Sequence, residues 1–160
     1  MAEVIRLATY DDRGPVAALR RAWTEENAGG PIADDDFEGR FDEWLQREQH
    51  QRLTWLGLVD DEPVAMVNML VFTRMPRPGI EVSQWGYLAN FYVRPEHRDA
   101  GLGSRMLAAL TSYSDDHGLV RVILSPSERS VPFYERAGFS ASNALMLRMP
   151  RSAAGTSPHR

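Results

Sequence analysis

The sequence predicts a mixed α/β (α+β) fold, because strand-like and helix-like patterns alternate along its 160 residues. Apolar residues make up 43% of the chain and charged residues 25%, which is typical of a globular protein with a buried core. No apolar run reaches the roughly 20 residues that span a bilayer, and the N-terminus lacks the pattern of a secretion signal. We therefore expect one domain over residues 1–149 in a cytoplasmic protein, followed by a disordered tail at 150–160.

The domain is predicted to begin with a strand from Val4 to Ala8 and two helices. Thr9 and Asp12 have the spacing of a helix start, and the Gly29-Gly30-Pro31 segment separates the two helices. The following side chains recur at helical spacing: Val16, Leu19 and Trp23 in the first helix, and Phe37, Phe41, Trp44, Leu45 and Glu48 in the second.

The rest of the domain is predicted to hold strands and two further helices. The Asp60-Asp61-Glu62-Pro63 segment predicts a turn, and the Pro- and Gly-containing segment 75–79 predicts a loop. In order, the predicted elements are strands at 52–59, 64–73 and 82–93, a helix to about His117 closed by Gly118, a strand at 119–124, a short helix, and a last strand at 139–149.

The segment from Val93 to Ser104 carries the strongest functional signal. It joins a predicted strand to a helix through a basic, glycine-containing turn, and the unpaired amides of a helix start attract anions. Gly101 and Gly103 allow a ligand to approach the backbone, although a glycine within a helix costs about 1 kcal/mol relative to alanine. Arg98 adds a charged donor. The segment lacks the Gly-x-Gly-x-x-Gly fingerprint and the Walker loop, and the alternative interpretation is an ordinary helix N-terminus.

The spacing Arg98-x-x-Gly101-x-Gly103, with Val93-x-Pro95 upstream, resembles motif A of the Gcn5-related N-acetyltransferase (GNAT) superfamily. Residues 127–139, which end in Tyr-Glu-Arg-Ala-Gly-Phe, resemble motif B of the same superfamily. The order of the predicted elements also fits that superfamily. The resemblance implies a mixed, mostly antiparallel central sheet that splays between its fourth and fifth strands, flanked by about four helices.

The resemblance implies acetyl-CoA as the cosubstrate, bound at the splayed strand, the turn and motif B. The residues implied are Phe91, Val93, Arg98, Asp99, Ala100, Gly101, Leu102, Gly103, Ser104, Ser127 and Tyr134. Ser127 stands where many relatives carry an asparagine that reaches the pantetheine arm.

Two of these groups are expected to take part in the chemistry. The Val93 N–H is expected to stabilise the developing oxyanion. Tyr134 is expected to protonate the departing thiolate, because an ordinary phenol with a pKa near 10 is protonated at neutral pH. The alternative for Tyr134 is a core aromatic beside Phe133.

The acceptor site carries no motif of its own. The resemblance places the first two helices over it, so Phe37, Phe41, Trp85, Tyr87 and Asn90 are candidate substrate residues, although aromatics at helical spacing more often form a core. Acidic residues between Glu25 and Glu38 are expected either to rim this site and attract a cationic amine or to be solvated surface. The general base stays open between Glu81, Asn90 through a water, and an acid in the first two helices.

The predicted function is an N-acetyltransferase that transfers acetyl directly to a primary amine of a small molecule or peptide. The alternatives are a non-catalytic acyl-CoA-binding sensor, and an acyltransferase with a longer acyl chain or a non-amine acceptor. The chain has no cysteine, and its four histidines show no ligand spacing, so no metal is expected. A net charge of −4 without a basic stripe argues against nucleic acid, no membrane partner is expected, and a homodimer is left open.

Overall fold

The computed structural model describes residues 1–151. Its elements follow in this order: β1 (Glu3–Leu7), α1 (Arg13–Ala28), α2 (Phe37–Glu48), β2 (Arg52–Val59), β3 (Glu62–Thr73), β4 (Gln84–Val93), α3 (Leu102–Asp116), β5 (Val122–Ile123) and α4 (Val131–Arg136). Short 3₁₀ turns precede α1, β2, the motif A turn and α4.

One five-stranded sheet forms the centre of the molecule, in the order β1-β2-β3-β4-β5. The first four strands are antiparallel, whereas β5 lies parallel to β4 and pairs with it only at Gly86 and Tyr87. Because β4 continues to Val93 without β5, the sheet opens between these two strands. This confirms the predicted mixed, mostly antiparallel sheet with a splay between the fourth and fifth strands.

The predicted turn between β2 and β3 is confirmed at Asp60 and Asp61. Both residues have positive φ angles, 50° and 66°. Positive φ at both central residues is the geometry of a type I′ hairpin turn, which matches the natural twist of antiparallel strands.

Helices cover both faces of the sheet. On one face, α3 buries Met106, Leu107 and Leu110 against β-strand residues such as Val67 and Met69. On the other face, α1 buries Leu19 in a cluster with Leu56, Leu58, Met66 and Tyr92. The neighbours Trp55 and Leu56 of β2, and Met66 and Val67 of β3, belong to opposite clusters, as the period of two in a strand requires.

The predicted last strand at 139–149 is wrong, since the described residues form no strand there. The Phe139 N–H instead donates to the Tyr134 carbonyl (3.1 Å) at the end of α4. Residues 140–144 include no β-branched or aromatic side chain, and they form a turn in which the Ala144 N–H donates to Ser142 Oγ (3.1 Å). The apolar side chains that follow are therefore exposed, Met146 fully so.

Two further predicted boundaries differ from the structure. The fifth strand is shorter than the predicted 119–124, because it pairs with β4 at only two positions. The predicted disordered tail at 150–160 lies, from residue 152 onward, outside the described residues.

Candidate active site

The turn before α3 has the open helix start that its sequence predicted. Gly101 caps the helix with a φ of 84°, a left-handed conformation that favours glycine, and Asp99 also has a positive φ of 61°. The N–H groups of Leu102, Gly103 and Ser104 have no acceptor among residues 1–151, because they precede the first helical hydrogen bond and no side chain caps them. Their partial positive charge is therefore available to an anion.

Gly103 lies where motif A and motif B meet. A Cβ atom added to Gly103 would lie 3.7 Å from the Phe133 ring and 3.8 Å from Val93 Cγ2, which are ordinary contacts. Phe133 also packs edge-to-face on Phe91, with the ring centroids 5.6 Å apart. The structure thus brings the end of β4, the start of α3 and helix α4 to one point.

The outer edge of β4 is open beside this point. The Arg94 N–H donates to the Val64 carbonyl (2.9 Å), and Ala65 stands opposite Val93. Hydrogen bonding alternates along an antiparallel strand, so the main-chain groups of Phe91 and Val93 face away from β3. The Val93 carbonyl accepts from Arg98 Nε (2.8 Å). Among the described residues, no strand pairs with this edge of β4 beyond Tyr87.

Tyr134 lies on α4 with its ring partly buried among other aromatics. Its ring centroid is 5.1 Å from that of Phe133 and 5.8 Å from that of Phe139. Burial raises the pKa of the Tyr134 hydroxyl above its ordinary value of 10.0, so the group is protonated at neutral pH. Within residues 1–151 this hydroxyl forms no hydrogen bond, and it is free to donate to a ligand.

Two predicted cofactor residues have partners within the protein. Arg98 binds Glu26 through both guanidinium Nη atoms, at 2.8 and 2.9 Å, and the Tyr92 hydroxyl donates to the same carboxylate (3.0 Å). This arrangement ties the motif A turn to the last turns of α1. Ser127 Oγ donates to Ser130 Oγ (3.0 Å) at the start of motif B.

A cavity of about 840 Å³ lies between α1, α2 and the sheet. Phe37, Phe41 and Trp44 form an aromatic wall, with successive ring centroids 6.1 and 5.5 Å apart. At the sheet, the cavity reaches Ala89 and Asn90, where a bulge interrupts the pairing of β3 with β4. This cavity therefore meets β4 just before its open edge.

Three of the five candidate substrate residues, Phe37, Phe41 and Asn90, line this cavity, but Trp85 and Tyr87 do not. Trp85 stacks on Phe72 instead, with the ring centroids 4.4 Å apart. Both residues lie nearer the start of β4, where β5 pairs with it.

The charge of the cavity wall is opposite to that expected from the sequence. No acidic side chain belongs to the described lining, whereas four arginines do: Arg13, Arg20, Arg40 and Arg52. Of the acids expected at the rim, Glu25 and Glu38 lie 3.6 and 2.9 Å from Arg21, and Asp34 is paired with Arg40 of the wall. Sequence reasoning missed these arginines, although Arg13, Val16 and Arg20 have the spacing of one helical face.

Within residues 1–151, no group of three or more His, Asp or Glu side chains is arranged to hold a metal ion. The helices of this part of the chain are also too short or too polar to cross a membrane.

Known proteins resemble this chain in both sequence and fold. The profile of the Acetyltransferase (GNAT) family matches residues 16–139. A glucosamine 6-phosphate N-acetyltransferase from Trypanosoma brucei brucei is 35% identical over 83 residues, which is 52% of this chain and 54% of that protein. The match thus spans about half the length of each protein.

Solved structures share the fold. A predicted acetyltransferase with acetyl-CoA from Clostridium acetobutylicum superposes with a TM-score of 0.73 at 17% identity, over 92% of this chain and 96% of that chain. An acetyltransferase from Trypanosoma brucei has a TM-score of 0.70 at 24% identity, over 93% and 100% of the two chains.

Proposed function

We propose that this chain, which belongs to the Acetyltransferase (GNAT) family, transfers an acetyl group from acetyl-CoA directly to a primary amine of a small molecule or peptide. One observation carries the proposal: the open edge of β4, the uncapped start of α3 and helix α4, which carries Tyr134, meet at one point. Family membership supports the enzyme class. The curated relative from Trypanosoma, named for an amine acetylation, supports the reaction type.

The described residues fit acetyl-CoA. The three free amides at Leu102, Gly103 and Ser104 suit its pyrophosphate, because a helix start offers N–H donors and a positive dipole end. The main-chain groups of Phe91 and the N–H of Val93, which face away from β3, suit the amide-containing pantetheine arm, which would extend the sheet as a strand does. Asp99, Ala100, Gly101 and Ser127 complete the binding residues that we propose.

Arg98 has a positioning role in this proposal. Its charge is already paired with Glu26, so it would contribute by holding the turn and the end of β4 in place. The hydrogen bond from Arg98 Nε to the Val93 carbonyl fixes the residue whose N–H we assign to the reaction.

The chemistry requires one hydrogen-bond donor and one acid from the chain. Acetyl-CoA supplies an acetyl group activated as a thioester. The Val93 N–H would hold the thioester oxygen as negative charge develops there, and Tyr134 would give its proton to the sulfur as the C–S bond breaks. The amine, which enters uncharged, forms the new C–N bond and releases a proton that restores the Tyr134 phenol through water.

Binding and turnover test this proposal separately. Isothermal titration calorimetry with acetyl-CoA should show clearly weaker binding in Gly103→Val, since the added side chain occupies the position where the pyrophosphate approaches the backbone. Gly14→Val is the matched control, because Gly14 lies in the first turn of α1 with open space around it. Equal affinity in both variants and the wild type would contradict the proposed cofactor site.

Release of CoA in the presence of a panel of amines then tests the activity. Amine-dependent release with formation of the acetylated amine is the expected result. Tight binding of acetyl-CoA without release for any amine would favour the alternative of a binding module.

A further inference from the structure

Arg20 differs from the other three arginines on the cavity wall in having no counter-charge. The other three lie in ion pairs: Arg13 with Asp42, Arg40 with Asp34, and Arg52 with Glu48. Among residues 1–151, the guanidinium of Arg20 has neither an ion-pair partner nor a hydrogen-bond acceptor. The cavity therefore carries one positive charge that the described part of the protein does not neutralise.

The environment of Arg20 favours an anionic partner. The side chain is partly buried, burial lowers the pKa of its guanidinium, and the charge lies over the Trp23 ring at 4.8 Å from the centroid. Taking a cation out of water without a counter-ion is unfavourable, and a bidentate oxyanion relieves that cost. The contact with Trp23 holds the planar group in place for such an anion.

The rest of the cavity is suited to a small organic molecule. Its volume of about 840 Å³ and its aromatic wall of Phe37, Phe41 and Trp44 are typical of a ligand site. Buried Asn68 accepts from Arg52 Nη1 (3.1 Å) and donates to Thr54 Oγ1 (2.8 Å), which makes the polar part of the wall rigid. The cavity also reaches Asn90 on β4, next to the open edge.

We infer that Arg20 selects an acceptor that carries an oxyanion, a carboxylate or a phosphate, in addition to its amine. The inference rests on the proposed function, because it assigns this cavity to the acceptor of the acetyl group. Arg20 would bind the oxyanion while the amine lies at the β4 end of the cavity. The acceptor class is thus opposite in charge to the cationic amine expected from the acidic residues of the sequence.

Matched pairs of amines test the inference and distinguish the two oxyanions. Phenylethylamine and phenylalanine differ by a carboxylate, and glucosamine and glucosamine 6-phosphate differ by a phosphate. In the wild type, kcat/KM should be higher for the anionic member of at least one pair. Arg20→Gln should lower that value by about 10- to 100-fold, the effect of losing a charge-assisted hydrogen bond, and should leave the neutral member nearly unchanged.

Two further variants make the comparison specific. Arg20→Lys retains the charge but not the bidentate fork, so it should recover part of the preference. Arg47→Gln removes an exposed arginine of α2 that does not line the cavity, and it should leave the preference intact. Circular dichroism checks that all three variants fold as the wild type does.

Equilibrium binding of the same four amines, measured by calorimetry, provides a readout without turnover. Tighter binding of an anionic member that is lost in Arg20→Gln supports the inference, even where no acetyl transfer occurs and the proposed function fails. Acetyl transfer that prefers the neutral members, or a preference for anions that persists in Arg20→Gln, overturns the inference and leaves the proposed function standing. Absence of Arg20-dependent binding for every amine also overturns it.

Discussion

The hydroxyl of Tyr134 has no hydrogen-bond partner among residues 1–151, although aromatic rings enclose much of the side chain. A phenol that served only to pack would need no hydroxyl, and phenylalanine would fill the same space. The raised pKa keeps this group protonated at neutral pH, which is the form that a proton donor needs.

We therefore predict that Tyr134→Phe lowers kcat and kcat/KM together, by about 10²-fold or more, the typical contribution of a general acid. Acetyl-CoA affinity should stay near the wild-type value, because the lost interaction forms only as the thiolate departs. Steady-state kinetics and calorimetry on the same variant provide the two measurements.

Tyr113→Phe is the control. Tyr113 lies in the last turns of α3, away from the proposed site, and packs on Trp55 of β2 and on His117. Unchanged turnover in Tyr134→Phe, with normal affinity, would show that Tyr134 is only a core aromatic. Weaker binding at unchanged kcat would make it a binding residue.

Strand β4 is closely packed at Gly86. Gly86 pairs with Val122 at the start of the splay, and a Cβ atom there would lie 2.4 Å from Sδ and 3.1 Å from Cγ of Met69. Met69 is fully buried, so its side chain has little room to move. The glycine is thus required by close packing at the point where β4 and β5 separate.

We predict that Gly86→Ala destabilises the protein by about 1–3 kcal/mol, the usual cost of overpacking a core. Gly39→Ala is the matched control, because Gly39 lies within α2 with open space around it, and it should stabilise by about 0.5–1 kcal/mol. Urea denaturation of both variants measures the effects. A stable Gly86→Ala variant would mean that Met69 can repack without loss.

The link between α1 and the motif A turn gives a second prediction at this scale. Glu26→Gln removes the charge that holds Arg98, so the turn should lose its fixed position and acetyl-CoA affinity should fall. Glu38→Gln breaks a comparable pair with Arg21 far from the turn and should not affect that affinity. Equal affinities in calorimetry would show that the turn holds its shape without this ion pair.

At the scale of the whole molecule, carboxylates paired with arginine connect different elements of the fold. Arg105 lowers the pKa of Glu3, Arg6 lowers that of Asp12, and Arg98 lowers that of Glu26. A carboxyl group with a depressed pKa in the folded state stabilises the fold above its unfolded pKa. That contribution is lost as the pH falls through the folded pKa.

Stability should therefore be constant from neutral pH to about pH 5 and should fall below about pH 4, where unfolded carboxyl groups begin to bind protons. Urea denaturation midpoints across this range measure the effect. Asp12→Asn should reduce the slope on the acid side, because Asp12 accepts from both Arg6 and the Thr9 N–H, whereas Asp11→Asn should not. Identical slopes in the two variants would contradict the assignment to Asp12.

Local sequence signals predicted much of this fold. Gly118 and Gly138 have φ angles of 66° and 92° at the ends of their helices, as helix termination by glycine requires. The prediction of a last strand was wrong because local composition was not enough. The residues from Leu145 to Met149 are mostly apolar, but they have no neighbouring strand with which to pair. Pairing of a strand depends on tertiary structure, which the composition of a segment does not contain.

The candidate site likewise has a part that local sequence predicted and a part that only the folded chain shows. The turn at Gly101 follows from local conformation and was predictable. The partner of Arg98 is Glu26, 72 residues away in sequence, and no local pattern identifies it. The charge of the cavity depends on which arginines meet a carboxylate, so Arg20 could be singled out only from the folded chain.

Helix α1 carries both Arg20 and Glu26, about 9 Å apart along its axis at 1.5 Å per residue. Arg20 lines the cavity that we assign to the acceptor, and Glu26 binds Arg98 in the turn before α3. A helix moves as a rigid rod, so an anion that draws Arg20 inward should also shift Glu26 and, through Arg98, the cofactor turn. We expect the two substrates to show thermodynamic linkage: each should change the dissociation constant of the other by the same factor, and the order of addition should not alter that factor.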